Sequence, residues 1–431
     1  MRLMIMTENR YDNIGEILYT GELPNGLKIM VVPKPGFSSF YAVFGTNYGG
    51  AMRNFCLDGR DIKTPAGVAH FLEHKMFDMP EGDNALEQLS ANGADPNAFT
   101  SGGVTMYYFS CTDNFEDNLK LLLRFVSTPY FTDETVQKEQ GIISQEIRMV
   151  DDHPGSAIYY NTLSLLYDHH PIKDKVAGSI ESIAEITAQT LYDCHKMFYT
   201  PANMVLCVEG DVDPEHIYDI AEAIVTAEKS PVPKADYGEP ETLIPLAERC
   251  EVEMEVALPQ FYIASKLKTL PGGREDLKER LTGSLALRLL AGPSSPFFAR
   301  LYSDGTLSRD FDSDVDYTAG TATMFIGGES SDPDRVFSQL KAEVERVITE
   351  GFGSEYFERT KKATIGQSLR NLEDFDNVCV GLAMDSFCSF CSFDSLELLE
   401  GINEEDCIAW IAESLAPERL VISIINPVKV K

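Results

Sequence analysis

Residues 227–245, AEKSPVPKADYGEPETLIP, hold four prolines and mixed charge with no helical or strand period, so they read as a linker. On either side of them one order of elements repeats. The first half opens with apolar-rich strands, GLKIMVVP and FYAVFGTNYGG, passes through helices and closes on PANMVLCV from Pro201. The second opens with CEVEMEVALPQFYIASKL, passes through helices and closes on PERLVISI from Pro417. In each half a proline stops the last helix and a strand follows. Segments 115–126, 134–146, 332–349 and 357–372 read as the helices between,. The pattern limits the chain to an α+β fold of two related domains. Their expected bounds are 1–226 and 246–431, joined by the linker 227–245.

Composition narrows the function by exclusion. Asp and Glu number 68 against 36 Lys and Arg, a formal charge of -32. Such a field repels nucleic-acid phosphates and anionic membranes and attracts basic ligands. No apolar run approaches the 18 or so residues of a membrane span, and the run after Arg2 is too short for a signal peptide. Nine cysteines, an odd number scattered along the chain, read as reduced thiols and place the protein in the cytoplasm.

The chemistry lies in Thr64-Pro65-Ala66-Gly67-Val68-Ala69-His70-Phe71-Leu72-Glu73-His74. Thr64 suits an N-cap and Pro65 a first helical position. On such a helix His70 and His74 share one face, and Glu73 lies within roughly 60° of His70. Two neutral imidazoles bind zinc, and a neighbouring carboxylate can take a proton from water that the metal activates. The order is H-x-x-E-H, the inverted zinc-peptidase motif. With seven histidines in the chain, chance gives roughly 0.01 such matches. A catalytic zinc wants a third protein ligand. In Glu134-Thr-Val-Gln-Lys-Glu139-Gln-Gly-Ile-Ile-Ser-Gln-Glu146 two acids stand two helical turns apart on one face,. Either could bind the metal while the other orients a ligand or moves a proton.

These motifs resemble the pitrilysin-type peptidases, which include insulin-degrading enzyme and the mitochondrial processing peptidase. The resemblance rests on HFLEH, the E-x6-E pair, the 72 residues from His74 to Glu146, and GADPNAFTSGGVTMYYFSC. HPIKDKVAGSIESI and FYTPANMVLCVEGDVD are similar to later family landmarks. It covers the first half strongly and the second in outline, and is nearest to bacterial processing-peptidase-like paired subunits. It implies domains built as antiparallel-rich mixed sheets covered by helices, together forming half a clamshell, with one Zn2+ per chain. It also makes Glu146 the third ligand, Glu139 an acid behind the ligands, and Asn97, Ala98 and Phe99 a substrate-docking strand edge.

Many peptidases of the family it resembles carry in the second half an Arg and, seven residues on, a Tyr that bind substrate. PFFARLYSDGTLSRDF instead has Tyr302 where Arg is expected and Arg309 where Tyr is expected, with Arg300 and Tyr317 nearby. In two-subunit relatives the pair comes from the other subunit, so the expectation is a dimer with an unlike partner of the same fold that lacks HxxEH. The rival reading is a non-catalytic scaffold or substrate-receptor subunit, which has no use for two histidines and three glutamates at catalytic spacing. A zinc hydrolase of non-peptide amides is a third, told apart only by substrate profiling. Three other signals are set aside. Cys388-Ser-Phe-Cys391 lacks a second pair and reads as buried thiols in a helix, His169 and His170 read as surface histidines, and GTNYGG lacks the context of a phosphate loop.

Overall fold

The structure, a computed structural model, describes residues 5–428. Alternating apolar residues in the first half pair as strands β1 (Thr7–Tyr11), β2 (Glu16–Glu22), β3 (Lys28–Pro33) and β4 (Phe40–Thr46). A small hairpin, β5 (Asn54–Leu57) and β6 (Arg60–Lys63), stands apart from β7 (Asp95–Thr100), β8 (Thr105–Cys111) and β9 (Met204–Gly210). The second half supplies β10 (Arg249–Met254), β11 (Gln260–Lys266), β12 (Asp312–Asp316), β13 (Thr323–Glu329) and β14 (Val421–Pro427).

The first sheet runs β1-β2-β3-β9-β4-β8-β7 and the second β10-β14-β11-β13-β12. In both, the last strand of the half inserts beside the first core strand in parallel, β9 on β3 and β14 on β10, while the remaining pairs are antiparallel. The five strands β3-β9-β4-β8-β7 therefore repeat as β10-β14-β11-β13-β12. This is the relationship between halves that the sequence order implies, expressed as topology. Strands β9 and β14 are central and covered on both faces, which is why they read as nearly unbroken apolar runs rather than alternating ones.

The compact units do not follow the halves of the sequence. One unit comprises Met1–Ile147, Asp174–Tyr237 and Leu369–Asp394, and the other Arg148–Lys173, Gly238–Ser368 and Ser395–Lys431. In the first unit, Ile29, Val31, Phe44, Phe109, Leu206 and Val208 form one face of the sheet and join the core of first-half helices. The other face, Met30, Val32, Val43, Met106, Val205 and Cys207, packs on Val378, Cys379, Leu382 and Ala383 of helix Phe375–Phe387, from the second half. The second unit repeats this in mirror. Ala264, Phe325 and Val421 are covered by Leu163, Leu165 and Leu166 at the end of helix Pro154–Leu166, from the first half. Successive residues of a strand face opposite sides, so each sheet needs two apolar covers, and each half lends one to the other. Residues 227–245 contain neither helix nor strand.

Candidate metal centre

The helix bearing the histidines spans Val68–Met76 and starts three residues later than a Thr64 cap with Pro65 at the first position would have it. Gly67 takes φ 93°, a left-handed conformation that the first turn of a helix cannot contain. A Cβ there would stand 2.6 Å from the Ala177 carbonyl oxygen. Thr64 does not cap; its hydroxyl donates to the Arg53 carbonyl at 3.2 Å. From Val68 the helix buries Val68, Ala69, Phe71, Leu72 and Met76, and the apolar face so anchored leaves His70 and His74 half-buried on the other. Their ring centroids are 4.6 Å apart.

A second helix, Asp133–Asp151, buries Val136, Ile143 and Ile147. That stripe at 7 and 4 spacing orients the helix so that Glu139 and Glu146 meet the histidines. Glu146 Oε1 lies 3.3 Å from His70 Nε2, and its Oε2 lies 3.6 Å from His74 Nε2. Glu139 reaches the opposite nitrogen of the second ring, Oε1 to Nδ1 of His74 at 3.1 Å. An Nδ1–H donated to that carboxylate leaves Nε2 of His74 with its lone pair toward Glu146. One ligand atom from each of His70, His74 and Glu146 falls within 4.8 Å of the others, the one such group of three among the described residues. Two imidazoles and a carboxylate are the donor set of a catalytic zinc site with one position open, and the residues present fit that ion.

Electrostatics separate the three glutamates. The His70 hydrogen bond holds the Glu146 carboxyl below its ordinary range, against burial. Burial pushes Glu139 up, but the His74 hydrogen bond and the charges of His74, Lys75 and Lys138 outweigh it, and the net shift is down. Glu73 goes the other way. It is 7% exposed, and burial raises its affinity for a proton even though the Thr100 hydroxyl donates to Oε2 at 2.5 Å. For His74, burial favours the neutral ring but is outweighed by the Glu139 hydrogen bond and the charges of Glu73, Glu139 and Glu146.

Asn97, Ala98 and Phe99 lie on β7, the outermost strand of the first sheet, which pairs with β8 on one side and with no strand on the other among the described residues. The histidine helix packs against this strand. Asn97 Oδ1 accepts from the Ala98 N–H at 2.9 Å.

The sequence pattern described as Insulinase (Peptidase family M16) matches residues 60–179, and that described as Peptidase M16 inactive domain matches residues 185–364. A Bacillus subtilis (strain 168) protein called "Uncharacterized zinc protease YmfH" is 36% identical over 426 residues, covering 97% of this chain and 98% of its own. The chain belongs to the M16 family of peptidases. Among solved structures, an M16-like peptidase from Alicyclobacillus acidocaldarius matches with a TM-score of 0.90 at 30% identity, over 99% of this chain and 100% of its own. A protease from Helicobacter pylori shares the fold with a TM-score of 0.81 at 18% identity, over 95% of this chain and 99% of its own. The inactive-domain match begins beyond Glu146, so His70, Glu73, His74, Glu139 and Glu146 all fall inside the insulinase match.

The second unit of this M16 chain holds the Arg and Tyr residues of residues 300–317. Arg309 Nε donates to the Tyr302 hydroxyl at 2.9 Å, so the reversed order still brings a guanidinium and a phenol together on the surface. Arg300 pairs with Glu343 at 3.7 Å, and Tyr317 lies under the Arg280 guanidinium, 4.2 Å from ring centroid to carbon. Two further readings change. His170 is buried rather than on the surface, its Nδ1 accepting from the Ile172 N–H at 3.0 Å, while His169 is exposed. Cys388 and Cys391 are half-buried just past the helix end at Phe387, not within it. Sequence reasoning missed Thr100 and Lys75, because both join the site through contacts distant in sequence or off the histidine face.

Proposed function

We propose that the protein is a zinc-dependent endopeptidase that hydrolyses small or unstructured peptides. One observation carries this reading: His70, His74 and Glu146 converge on one point, with Glu73 beside them on the histidine helix. The name of the Bacillus subtilis relative supports it. His70, His74 and Glu146 would hold one Zn2+ per chain. Zinc there supplies a Lewis acid that polarises a carbonyl and makes water more acidic.

The chain's own residues account for the proton movements. Glu73, its proton affinity raised by burial, takes a proton from the attacking water and passes it to the leaving amine. Thr100 keeps the Glu73 carboxylate oriented. Glu139 fixes the His74 ring. An extended peptide would add to the open edge of β7 beside Asn97, Ala98 and Phe99, presenting its backbone to the site. The charge of -32 favours a basic peptide over an acidic one.

We also propose that the working form is a dimer with an unlike subunit of the same fold that lacks HxxEH and contributes an Arg and a Tyr in the family's usual order. Nine free thiols support a reducing, cytoplasmic setting. No helix among the described residues is long and apolar enough to cross a membrane. The test is cleavage of a mixed set of Lys/Arg-rich peptides by the purified chain, read by mass spectrometry with and without chelator. Chelator-sensitive cleavage is expected once the partner is present. Cleavage that survives complete removal of metal contradicts the reading, and full activity of the chain alone removes the partner.

A further inference from the structure

Lys75 follows His74 in the histidine helix and points about 100° further around its axis. It is 2% exposed, and a buried ammonium persists only with partners. It has two. One is Asp78, a turn further on, and the other is Glu139, whose Oε2 lies 3.9 Å from Nζ. The second oxygen of the same carboxylate, Oε1, meets His74 Nδ1 at 3.1 Å. Glu139 is therefore bracketed, one oxygen on each of two successive side chains of a neighbouring helix. Glu146 is held differently. Its oxygens face Nε2 of both histidines, and among the described residues no lysine or arginine pairs with it. The two glutamates share a helix face; what separates them is Lys75.

We propose that Lys75 is a positioning residue of the metal centre. Its charge, 3.9 Å from Glu139 Oε2, draws that oxygen and so turns the carboxylate for Oε1 to accept the Nδ1 proton of His74, and that hydrogen bond presents Nε2 of His74 to the metal. Lys75 touches neither metal nor substrate and acts only through Glu139. The proposal rests on the zinc-peptidase reading above. Without the ammonium, Glu139 loses the contact on one oxygen, its carboxylate turns freely, and His74 loses its fixed tautomer and ring angle.

The test is zinc affinity of the full chain, measured by competition with a chromogenic chelator, for wild type, Lys75→Met, Glu139→Gln and the double variant. Lys75→Met is expected to weaken zinc binding by about 10–100-fold, the usual effect of losing a partner behind a metal ligand. The double variant should bind no more weakly than Glu139→Gln alone, because the lysine acts through that one carboxylate. The visible spectrum of the cobalt-loaded Lys75→Met protein should differ from that of wild type. Unchanged zinc affinity, or losses that add in the double variant, would overturn the proposal, since a lysine serving only the fold gives additive losses. Lys75→Gln runs the same cycle where circular dichroism shows that Lys75→Met does not fold. Absence of zinc binding in the wild type would overturn the zinc-peptidase reading and this one with it; zinc binding with additive losses overturns the role of Lys75 alone.

Discussion

Thr100 Oγ1 donates a 2.5 Å hydrogen bond to Glu73 Oε2, linking the last residue of the open edge strand to the acid beside the two histidines. The same strand that would align a peptide also holds the group that would move its protons. Thr100→Val removes the donor and keeps the volume. A hydroxyl that donates to a carboxylate favours the ionised form, so its loss raises the proton affinity of Glu73. A general base acts when deprotonated, so with Glu73 in that proposed role the acid limb of the pH–rate profile should move to higher pH. With a hydrogen bond to a charged group lost, kcat should fall about tenfold or more while zinc content holds. A pH–rate profile identical to wild type would break the link.

Glu146 and Glu139 should differ in what their loss does to metal. Glu146→Ala deletes a proposed ligand, so zinc affinity should fall by more than the roughly 10–100-fold typical of an outer partner. Glu139→Gln should stay within that range. Chelator competition on the two variants side by side decides between them, and equal losses would put both carboxylates on the metal.

Away from the metal, Glu209 on β9 is fully buried, and burial pushes its carboxyl up to about 8 despite the ion pair with Lys34 at 3.3 Å. Glu16 and Asp374 also raise it. The folded chain thus binds this proton more tightly than the unfolded chain. Stability from this group is full below about pH 4.5 and is lost as pH rises toward 8, at up to about 1.4 kcal/mol per pH unit. Glu209→Gln, which cannot ionise, should melt close to wild type near pH 5 and above it near pH 8. A melting difference that does not change between those two pH values would contradict the assignment.

Helix Phe375–Phe387 covers a sheet built from the other half of the sequence. Leu382 in it is fully buried, and Leu382→Ala should cost about 2–5 kcal/mol. The loss should appear as faster amide exchange in β4 and β9. A fragment of residues 1–237 would leave Val32, Val43 and Val205 uncovered and should self-associate on gel filtration. A monodisperse, cooperatively melting fragment would show that the helix is dispensable.

The helices and the two-domain α+β class were legible because helical and strand periods are local properties. Spacings of four and seven place His70 with His74, and Glu139 with Glu146, on one face of their own helices whatever the fold, but that Glu146 is the one to join the histidines came only from the family resemblance. Other features depend on partners distant in the chain. A period shows that Phe375–Phe387 has an apolar face but not which sheet it covers. Thr64-Pro65 has the chemistry of a helix start, yet Gly67 turns left-handed where the chain passes close to Ala177, and no local rule contains that approach. Nothing in the sequence sets Lys75 apart; its role follows only from Glu139 beside it.

In the proposed reaction Glu73 moves protons at a metal held by other residues. The direct measurement is zinc content and peptide turnover on the same preparation of Glu73→Gln, with the partner subunit present if wild type needs it. One zinc per chain is expected, as in wild type, with turnover lower by at least about 10²–10⁴-fold. Turnover at the wild-type rate would contradict the role of Glu73, and loss of zinc would contradict its separation from the ligands.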